Sequence, residues 1–454
     1  MNNGDKVYLG EIADLQVGFP FKSKEYSESP DAVKLVRGDN VVQGSFRWEN
    51  VKRIEIGSVP PEVIQKYSLA PHDVILAMDR PWISAGLKYC SVSQDDLPCL
   101  LVQRVCRLRA KENLDQRFLK YVIGSDEFTA HIRNVETGTA VPHISQSSIG
   151  EFLVKLPPMH DQKAIAHILG TLDDKIELNQ KMNQTLEDIV KAIFKSWFVD
   201  FDPVRAKMEE RPTGLPPEID ELFPDELVDS EIGEIPKGWE VAPLEECAIE
   251  IESGRRPKGG IDKSLQQGIP SVGAESIAPA GEFDFSKVKY VTAEFAQKMK
   301  KGRVQNFDIA LYKDGGKPGQ FIPRVGIYGD GFPFDHFYVN EHVFLLRSEQ
   351  LGQPFLYRLV SSLAFLDQLI AKGSAKAAQP GLNQTEVVES SFVCPNEDAI
   401  TVFNNKTRPL LERQFLLGKE NEILSELRDT LLPKLISGEL RIPDAEKLLE
   451  EADI

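Results

Sequence analysis

Two long segments of the chain repeat apolar residues in alternating steps of three and four, which is the pattern of a helix that packs along one face. In the first segment the repeated positions are Ile165, Leu169, Leu172, Ile176, Asn179, Asn183, Leu186, Val190, Ile193 and Trp197. In the second they are Phe403, Thr407, Leu410, Gln414, Leu417, Asn421, Leu424, Arg428, Leu431 and Leu435. The pattern predicts two long helices, the first spanning about 50 Å at about 1.5 Å per residue.

The second set of positions is less apolar than the first. We therefore expect the two helices to pack on each other, and not each to form a homodimer. Asn183 and Asn421 occupy equivalent seam positions, where a buried polar side chain fixes the register at some cost in stability. The alternative is a pair of unrelated amphipathic core helices.

The helical segments and the regions that precede them form a repeat. Asn183 and Asn421 are 238 residues apart, and Leu172 and Leu410 share this offset. Each preceding region has short β-type runs, such as Val74–Ala77, separated by Gly, Pro, Asp and Asn. A repeat of this length indicates a domain duplication, and the mixture of strand and helix signals predicts two mixed α/β regions.

The net charge of −17 is unevenly distributed along the 454 residues. Residues 1–156 carry −1 and residues 231–395 carry −3, whereas residues 157–230 carry −8 and residues 396–454 carry −5. The acidic charge thus lies on the helical segments and the Pro-rich stretch between the halves. Each globular region is close to neutral, so a basic face that binds nucleic acid is compatible with the composition.

Targeting and redox signals are few. No uncharged apolar run approaches the ~20 residues of a membrane span, and the first residues lack signal-peptide character. The five cysteines are scattered and form no C-x-x-C pair, which favours reduced thiols. We therefore expect a cytoplasmic protein.

The globular regions lack the motifs of common enzymes but carry basic and amide side chains on loops. The glycine-rich stretch Gly315–Gly319 has Pro318 where a phosphate-binding loop needs Ser or Thr, and we expect no catalytic residue and no metal site. Lys and Arg on glycine loops suit phosphates, and Arg, Asn and Gln distinguish base edges. The candidate DNA-binding residues are Lys22, Lys24, Arg37, Asn40, Arg80, Trp82, His143, Gln146, Arg255, Arg256, Lys258, Lys313, Lys317 and Asn383.

Each of these loops alone also fits a solvated loop. For Arg255 and Arg256 the specific alternative is pairing with Glu250 and Glu252 nearby. Recurrence of such loops at matching places in both halves favours binding, and their different side chains suit two readers of different sequences.

Four segments resemble the conserved regions of Type I restriction–modification specificity subunits. They are Leu156–Asn179, Phe194–Val204, Gly233–Trp239 and Leu427–Leu440. The resemblance is specific in the helices and the linker and looser in the globular regions. It implies an α+β fold with two mixed α/β target recognition domains in an inverted pseudo-twofold arrangement, joined by two long antiparallel coiled-coil helices.

The domain boundaries follow from the resemblance together with the patterns above. We expect an N-terminal target recognition domain at 1–157, a central long helix at 158–201, an extended Pro- and acid-rich linker at 202–239, a C-terminal target recognition domain at 240–395, a second long helix at 396–436 and a tail at 437–454. The expected helix-pair seam comprises Leu169, Leu172, Ile176, Asn183, Leu186, Ile193, Leu410, Leu417, Asn421, Leu424 and Leu431.

The resemblance also implies a function in host defence. The chain would be a non-catalytic subunit that recognises double-stranded DNA, each domain reading one half of a bipartite asymmetric site. Two methyltransferase (modification) subunits would dock on the helices and bring S-adenosylmethionine for adenine-N6 methylation. Restriction subunits would bring ATP- and Mg-dependent cleavage, and this chain would bind no cofactor.

Two other functions remain open at this point. One is a specificity factor of a methylation-only system. The other is an acidic DNA mimic, which the net charge favours but the confinement of that charge to the helices and linker disfavours.

Overall fold

Residues 6–155 form a mixed α/β region. The computed structural model describes residues 6–83, 86–135, 142–262, 264–265, 267–317, 319–376 and 379–451. The strands of this region are β1 (Lys6–Tyr8), β2 (Ala13–Val17), β3 (Tyr26–Ser27), β4 (Val33–Val36), β5 (Arg53–Ile54), β6 (Val74–Ala77), β7 (Trp82–Ile83), β8 (Gly86–Leu87), β9 (Tyr89–Ser91), β10 (Cys99–Leu101), β11 (Val105–Ala110) and β12 (Leu153–Lys155). Its helices are α1 (Leu9–Ile12), α2 (Pro61–Tyr67), α3 (Gln116–Ile123), α4 (Asp126–Val135) and α5 (Gln146–Gly150).

Two four-stranded sheets organise this region. One has the antiparallel order β2-β11-β6-β9, and the other has the order β10-β4-β5-β3 with β10 and β4 parallel. Strand β6 is buried along its whole length, as its continuous apolar run requires. Strands β1 and β12 pair with each other, so the region closes just before the first long helix, α6 (Met159–Phe198).

Residues 202–394 form a second mixed α/β region, in which residues 240–394 repeat the architecture of the first. The helices are α7 (Asp202–Met208), α8 (Pro217–Asp220), α9 (Ala293–Gln297), α10 (Gln353–Val360), α11 (Leu363–Ser374) and α12 (Gln384–Val388). The strands are β13 (Leu227–Ser230), β14 (Gly233–Pro236), β15 (Glu240–Pro243), β16 (Glu250–Ser253), β17 (Ile269–Val272), β18 (Lys289–Val291), β19 (Ile309–Tyr312), β20 (Gly316–Lys317), β21 (Gln320–Phe321), β22 (Val325–Ile327), β23 (Tyr338–Val339), β24 (Val343–Arg347) and β25 (Ser391–Cys394). The second long helix, α13 (Glu397–Ser437), and α14 (Ile442–Glu451) follow.

The sheets of the second region match those of the first. The order β16-β24-β19-β22 is antiparallel and equivalent to β2-β11-β6-β9. The order β18-β17-β23, with β17 and β23 parallel, matches β5-β4-β10. Strands β15 and β25 pair as β1 and β12 do. The duplication predicted from the sequence is therefore confirmed as a duplicated topology.

The chain divides into two compact units. Unit 1 comprises Met1–Lys175 and Leu424–Ile454, and unit 2 comprises Ile176–Ile423. Each unit therefore contains one globular region and parts of both long helices. Helix α6 has 40 residues and α13 has 41, which corresponds to about 60 Å each and exceeds the length predicted from the seam.

The long helices run antiparallel within both units. In unit 1, Arg428 Nη1 donates to Asp173 Oδ1 at 3.0 Å. In unit 2, Asn179 Nδ2 donates to Glu420 at 3.0 Å, and Gln414 Nε2 donates to the backbone oxygen of Asn183 at 3.3 Å. The positions on α13 fall as those on α6 rise. All the predicted seam residues are buried or half-buried, so the predicted helix pairing is confirmed.

The antiparallel pairing separates the two seam asparagines that the repeat makes equivalent. Asn183 lies beside Gln414, and its Nδ2 donates to the backbone oxygen of Ala280 at 2.9 Å. Gly281 follows with φ +73°, and a Cβ there would lie 2.3 Å from the Gln414 backbone oxygen. Only glycine fits this close approach, so the polar position in α6 anchors a loop of unit 2 to both helices.

The linker prediction needs correction. Residues 202–239 do not form an extended connector, because they fold into α7, α8 and the β13–β14 hairpin. Val204, Ile219, Phe223 and Trp239 are buried in the main apolar cluster of unit 2. Apolar residues spaced for helix and hairpin thus outweigh the Pro-rich and acidic composition of this stretch.

Buried ion pairs hold equivalent strands in the two units. Arg109 Nε and Nη2 donate to both carboxylate oxygens of Asp73 at 2.7 and 2.6 Å, and Arg347 donates in the same way to Asp308 at 2.5 Å. Asp73 and Asp308 are each 1% exposed. A bidentate pair satisfies a buried carboxylate and fixes its geometry, so it sets how β6 and β19 pack on their neighbours.

A second polar cluster ties a globular helix of unit 1 to both long helices. Asp173 of α6 accepts hydrogen bonds from Lys120 Nζ at 2.6 Å, Tyr121 Oη at 2.7 Å and Arg428 Nη1 at 3.0 Å. Burial opposes ionisation of Asp173, but the charges of Lys120 and Arg428 and the hydrogen bonds to the carboxylate outweigh it. The pKa of Asp173 is therefore lowered.

We predict that Asp173→Asn lowers the free energy of unfolding by roughly 1.5–3 kcal/mol at pH 7, the range for hydrogen bonds to charged groups. A lowered folded-state pKa gives stability that is present above the unfolded value of about 3.9 and is lost as the pH falls through the folded pKa. The melting temperatures of the two proteins should therefore differ at pH 7, approach each other as the pH falls below about 4, and become equal only below the folded pKa of Asp173. The neighbouring exposed Asp174→Asn is the control, and equal melting of wild type and Asp173→Asn at pH 7 would contradict the role of this cluster.

Candidate nucleic-acid interface

The loop after β6 carries a polar cluster centred on Asp79. Arg104 Nη1 lies 3.0 Å from Asp79 Oδ2, and His143 Nδ1 is hydrogen-bonded to Asp79 Oδ1. The backbone of Arg80 donates to the Pro142 oxygen at 2.8 Å, which joins this loop to the one before α5. Three loops that are distant in sequence thus meet at one carboxylate.

Two arginines of this cluster have left-handed backbones. Arg80 has φ 46° and Arg104 has φ 68°, which is uncommon for a side chain of this size. Such conformations cost on the order of 1–3 kcal/mol and tend to occur at functional sites. The Arg104 side chain is 69% exposed, so Asp79 orients a guanidinium that keeps donors available for phosphates or base edges.

The equivalent loop of unit 2 repeats the carboxylate but changes its partners. His342 Nδ1 lies 3.2 Å from Asp314 Oδ2, and Lys313 Nζ lies 4.0 Å from the same oxygen. His342 stands 238 residues after Arg104. This is the offset of the helical repeat, so the two positions are equivalent. The candidate residue Lys313 also places its ammonium 4.6 Å from the centre of the Phe344 ring. The two units therefore share a scaffold and differ in the groups presented.

Other candidates of unit 1 have more varied surroundings. Lys22 and Lys24 are exposed on the loop that follows Gly18, and Arg37 pairs with Asp39 at the surface. Trp82 is half-buried, with the Arg133 guanidinium 5.1 Å from its ring centre. A partly exposed indole next to a cation suits stacking on a base.

Two predicted contact residues of unit 1 have scaffold roles. Asn40 is 5% exposed; its Oδ1 accepts from the Arg37 backbone and its Nδ2 donates to the Arg47 oxygen, so its side chain shapes the turn. Gln146 Nε2 donates to the Leu15 oxygen at 2.7 Å. The equivalent Gln384 donates to the Ile251 oxygen at 3.1 Å, so this contact positions helices α5 and α12.

The candidates of unit 2 show a similar division. Arg255 and Lys258 are exposed on the glycine-flanked loop after β16. Arg256 pairs with Glu341 at 2.8 Å, whereas Glu252 pairs with Arg347. The alternative that Arg256 pairs with Glu250 or Glu252 is therefore wrong.

Two further candidates of unit 2 lie at a helix cap and at the edge of the described chain. The Asn383 side chain caps α12 by accepting from the Glu386 backbone, which fits a cap residue. Its counterpart in unit 1 is Ser145, the cap of α5, and not His143. The Lys317 backbone lies in β20, and its side chain lies outside the described residues.

Glycine is required where the two basic loops begin. A Cβ at Gly18 would lie 2.3 Å from the Val102 backbone oxygen, and one at Gly254 would lie 1.6 Å from the Val339 oxygen. In both units the basic loop therefore begins where its glycine contacts the backbone at the end of the parallel strand, β10 in unit 1 and β23 in unit 2. The basic side chains of the two loops thus occupy equivalent places.

Sequence reasoning missed Arg104 and His342. Neither stands in a glycine-rich loop, and their partners Asp79 and Asp314 lie 25 and 28 residues away. The repeat offset could have identified them, since it places a basic side chain at the same position in both units.

Within the described residues, no group of three or more His, Cys, Asp and Glu side chains is arranged to hold a metal ion. All five cysteines are free thiols. In the same part of the chain, no helix combines the length and apolar character of a membrane span.

Comparisons with known proteins show which proteins this chain is similar to. The model of the Type I restriction modification DNA specificity domain matches residues 2–188. The specificity subunit of the Type I restriction enzyme MjaIX from Methanocaldococcus jannaschii is 27% identical over 382 residues, covering 82% of this chain and 79% of the relative. That of HindI from Haemophilus influenzae is 27% identical over 485 aligned positions, covering 97% and 100%.

A solved structure agrees in fold. The crystal structure of a Type I restriction–modification system S subunit from M. genitalium has a TM-score of 0.53 at 16% sequence identity and covers 96% of this chain and 97% of its own. Fold and sequence together define a protein with two equivalent mixed α/β regions and two long antiparallel helices. Over most of its length the chain is similar in sequence to specificity subunits of Type I restriction enzymes, and its residues 2–188 match the model of the DNA specificity domain. The acidic DNA mimic and the methylation-only factor find no support in these comparisons.

Proposed function

We propose that this chain is the non-catalytic subunit that reads DNA sequence for a Type I restriction–modification complex. Unit 1 would read one half of a bipartite asymmetric site, and unit 2 would read the other. The observation that carries the proposal is the pair of equivalent loop clusters around Asp79 and Asp314, which share a scaffold and present Arg104 and His143 in one case and His342 and Lys313 in the other. Equal scaffolds with unequal donors suit two readers of different bases.

The catalytic groups and cofactors belong to partner subunits in this proposal. Methyltransferase subunits supply S-adenosylmethionine and adenine-N6 methylation, and restriction subunits supply ATP- and Mg-dependent translocation and cleavage. This chain's own residues position the DNA: exposed Lys and Arg neutralise phosphates, and the oriented side chains of the clusters contact base edges.

The proposed docking surface lies on exposed apolar positions of the long helices within unit 2. On α6, Leu178, Met182 and Ile189 lie within about 40° of one another around the helix axis and are 55%, 38% and 42% exposed. On α13, Leu416 and Ile423 share one face and are 59% and 56% exposed. Large apolar side chains exposed along a helix support a protein-contact role. The acidic charge of these helices also suits basic partner surfaces.

The proposal is tested first by exchanging one reader. Residues 240–394 are replaced by the corresponding region of a homologous specificity subunit, so that both strands of the β15–β25 pair move together. The exchanged region must keep a basic residue at position 358, since Arg358 Nη1 donates to the buried Glu187 of α6 at 2.8 Å. Mapping of methylated sites should show that one half of the motif changes and the other is retained. Changes in both halves of a folded complex would refute two independent readers.

A second test addresses spacing. Four residues, about 6 Å of helix, are inserted between Lys175 and Ile176 and between Ile423 and Leu424, where both helices pass from one unit to the other. These points face each other in the antiparallel pair. The non-specific gap should lengthen by one or two base pairs at about 3.4 Å each, with the half-site sequences unchanged. The control inserts the same residues in α6 alone. This insertion should put α6 out of register with α13 and impair assembly of the chain with its methyltransferase subunits. New half-site bases at the original spacing would exclude the helices as spacers.

A third test addresses docking. Met182→Asp combined with Ile423→Asp should weaken binding of methyltransferase subunits at least about tenfold, which corresponds to about 1.4 kcal/mol, because each substitution places a charge in an apolar contact. Isothermal titration of the purified chain with the methyltransferase subunit measures this. Leu363→Asp, at a residue 82% exposed on α11, is the matched control. Unchanged affinity in the double variant would move the docking surface elsewhere.

A further inference from the structure

Unit 2 carries a second basic stretch that sequence reasoning did not select. Lys298, Lys300, Lys301 and Arg303 lie between α9 and β19 and are all exposed. Among the described residues, none of these four side chains forms an ion pair with a carboxylate. We call residues 298–303 the basic segment.

The basic segment lies against the candidate loop that begins at Gly254. A Cβ added at Gly302 (φ +84°) would lie 2.4 Å from the Gly254 Cα, so the two backbones touch. The Gly302 oxygen accepts from Val339 at 2.8 Å, and the Arg303 oxygen accepts from Arg347 Nη2 at 3.2 Å. Sheet and ion-pair scaffold thus hold the segment in place, and its position does not depend on its charged side chains.

This contact gathers positive charge on one surface. The Gly254 loop contributes Arg255, Arg256 and Lys258 to the four basic residues of the segment. The turn at Pro257 is closed by a hydrogen bond from Gly260 at 3.0 Å. Of the three loop cations, Arg256 pairs with Glu341 and remains 58% exposed. Among the described residues, Arg256 is the only one of these seven cations in an ion pair with a carboxylate. Cations held close together in excess of carboxylates raise the local potential, which favours a polyanion.

The described part of unit 1 has no equivalent surface at the corresponding place. Ser68 forms an isolated bridge with Leu100, as Arg303 does with Tyr338 in unit 2, which aligns Ser68 with Arg303. The stretch before Ser68 contains a single base, Lys66, whose ammonium lies 5.5 Å from the centre of the Tyr67 ring. Tyr67 in turn packs on Phe19 of the Gly18 loop, with ring centres 5.4 Å apart. The same place is therefore basic in unit 2 and aromatic in unit 1.

We propose that the basic segment and the Gly254 loop form a phosphate-binding platform, and that unit 2 holds the DNA backbone more strongly than unit 1. This inference rests on the proposed function, because it assigns the backbone contacts of the same DNA. The two halves of the site then differ in how they are bound: unit 2 contributes most of the counterion release, and unit 1 relies more on stacking and on groups oriented by Asp79.

The test measures DNA affinity of the assembled methyltransferase over a range of salt concentrations. The platform variant is Lys300→Gln, Lys301→Gln and Arg303→Gln. The unit 1 variant is Lys22→Gln, Lys24→Gln and Lys66→Gln. Each lost phosphate contact reduces the slope of log K against log salt by about 0.9. The platform variant, which removes three charges, should lose up to about 2.7 of slope on specific and scrambled duplexes alike, and the unit 1 variant less than about 1.

A charge-retaining variant separates charge from folding. Lys300→Arg, Lys301→Arg and Arg303→Lys should keep the wild-type slope. An unchanged slope in the platform variant, or an equal loss in both Gln variants, would overturn the platform. Failure of the proposed function would look different: the wild-type complex itself would then show no preference for its methylated motif over a scrambled duplex.

Discussion

The structure depends on two long helices that run in opposite directions. Antiparallel pairing brings the first half of α6 beside the last part of α13, as Asp173 and Arg428 show, and the end of α6 beside the start of α13, as Phe194 and Phe403 show. Each unit therefore contains parts of both helices, and neither helix lies wholly within one unit. A change in helix register would alter the support of both globular regions at once, which explains why polar side chains interrupt the apolar seams.

The two units share their buried polar contacts and differ in their exposed loops. The scaffold repeats in chemical detail: Asp73 with Arg109 matches Asp308 with Arg347. Gln116, which accepts from the Ala110 backbone and donates to His72, matches Gln353, which accepts from Ser348 and donates to Phe307. The exposed loops diverge around it. Buried polar groups must keep their partners because an unsatisfied one is costly, whereas exposed loop residues are free to change with the sequence to be read.

The parts that could be predicted from sequence are those encoded locally. Helix periodicity gave both seams, and the repeat offset gave the duplicated regions, because each depends on spacing along the chain. The loop glycines were also identifiable, although the reason for Gly254, the backbone oxygen of Val339, required the fold. The family resemblance supplied the antiparallel direction of the helices, which periodicity alone does not determine.

The roles of single side chains depended on partners distant in sequence. The sequence places Asn40 among the loop amides suited to base edges, but its side chain is buried and donates to the backbone oxygen of Arg47. The Pro-rich composition of residues 202–239 predicts an extended linker, but Phe223 and Trp239 are buried in the main apolar cluster of unit 2. Arg104 is a candidate contact residue only because the fold brings Asp79 beside its guanidinium. In each case the tertiary environment decided between solvent, scaffold and binding surface.

The division of the chain has a consequence for its synthesis. Unit 2 is continuous, so every residue it needs has been made once translation passes residue 423. Unit 1 is not, because residues 424–454 belong to it. On the ribosome the first 175 residues must therefore wait, with the surface that receives the end of α13 still uncovered, while the region made after them is completed. The usual order, in which the N-terminal domain finishes first, is reversed, because a segment translated after unit 2 completes the unit that was begun before it.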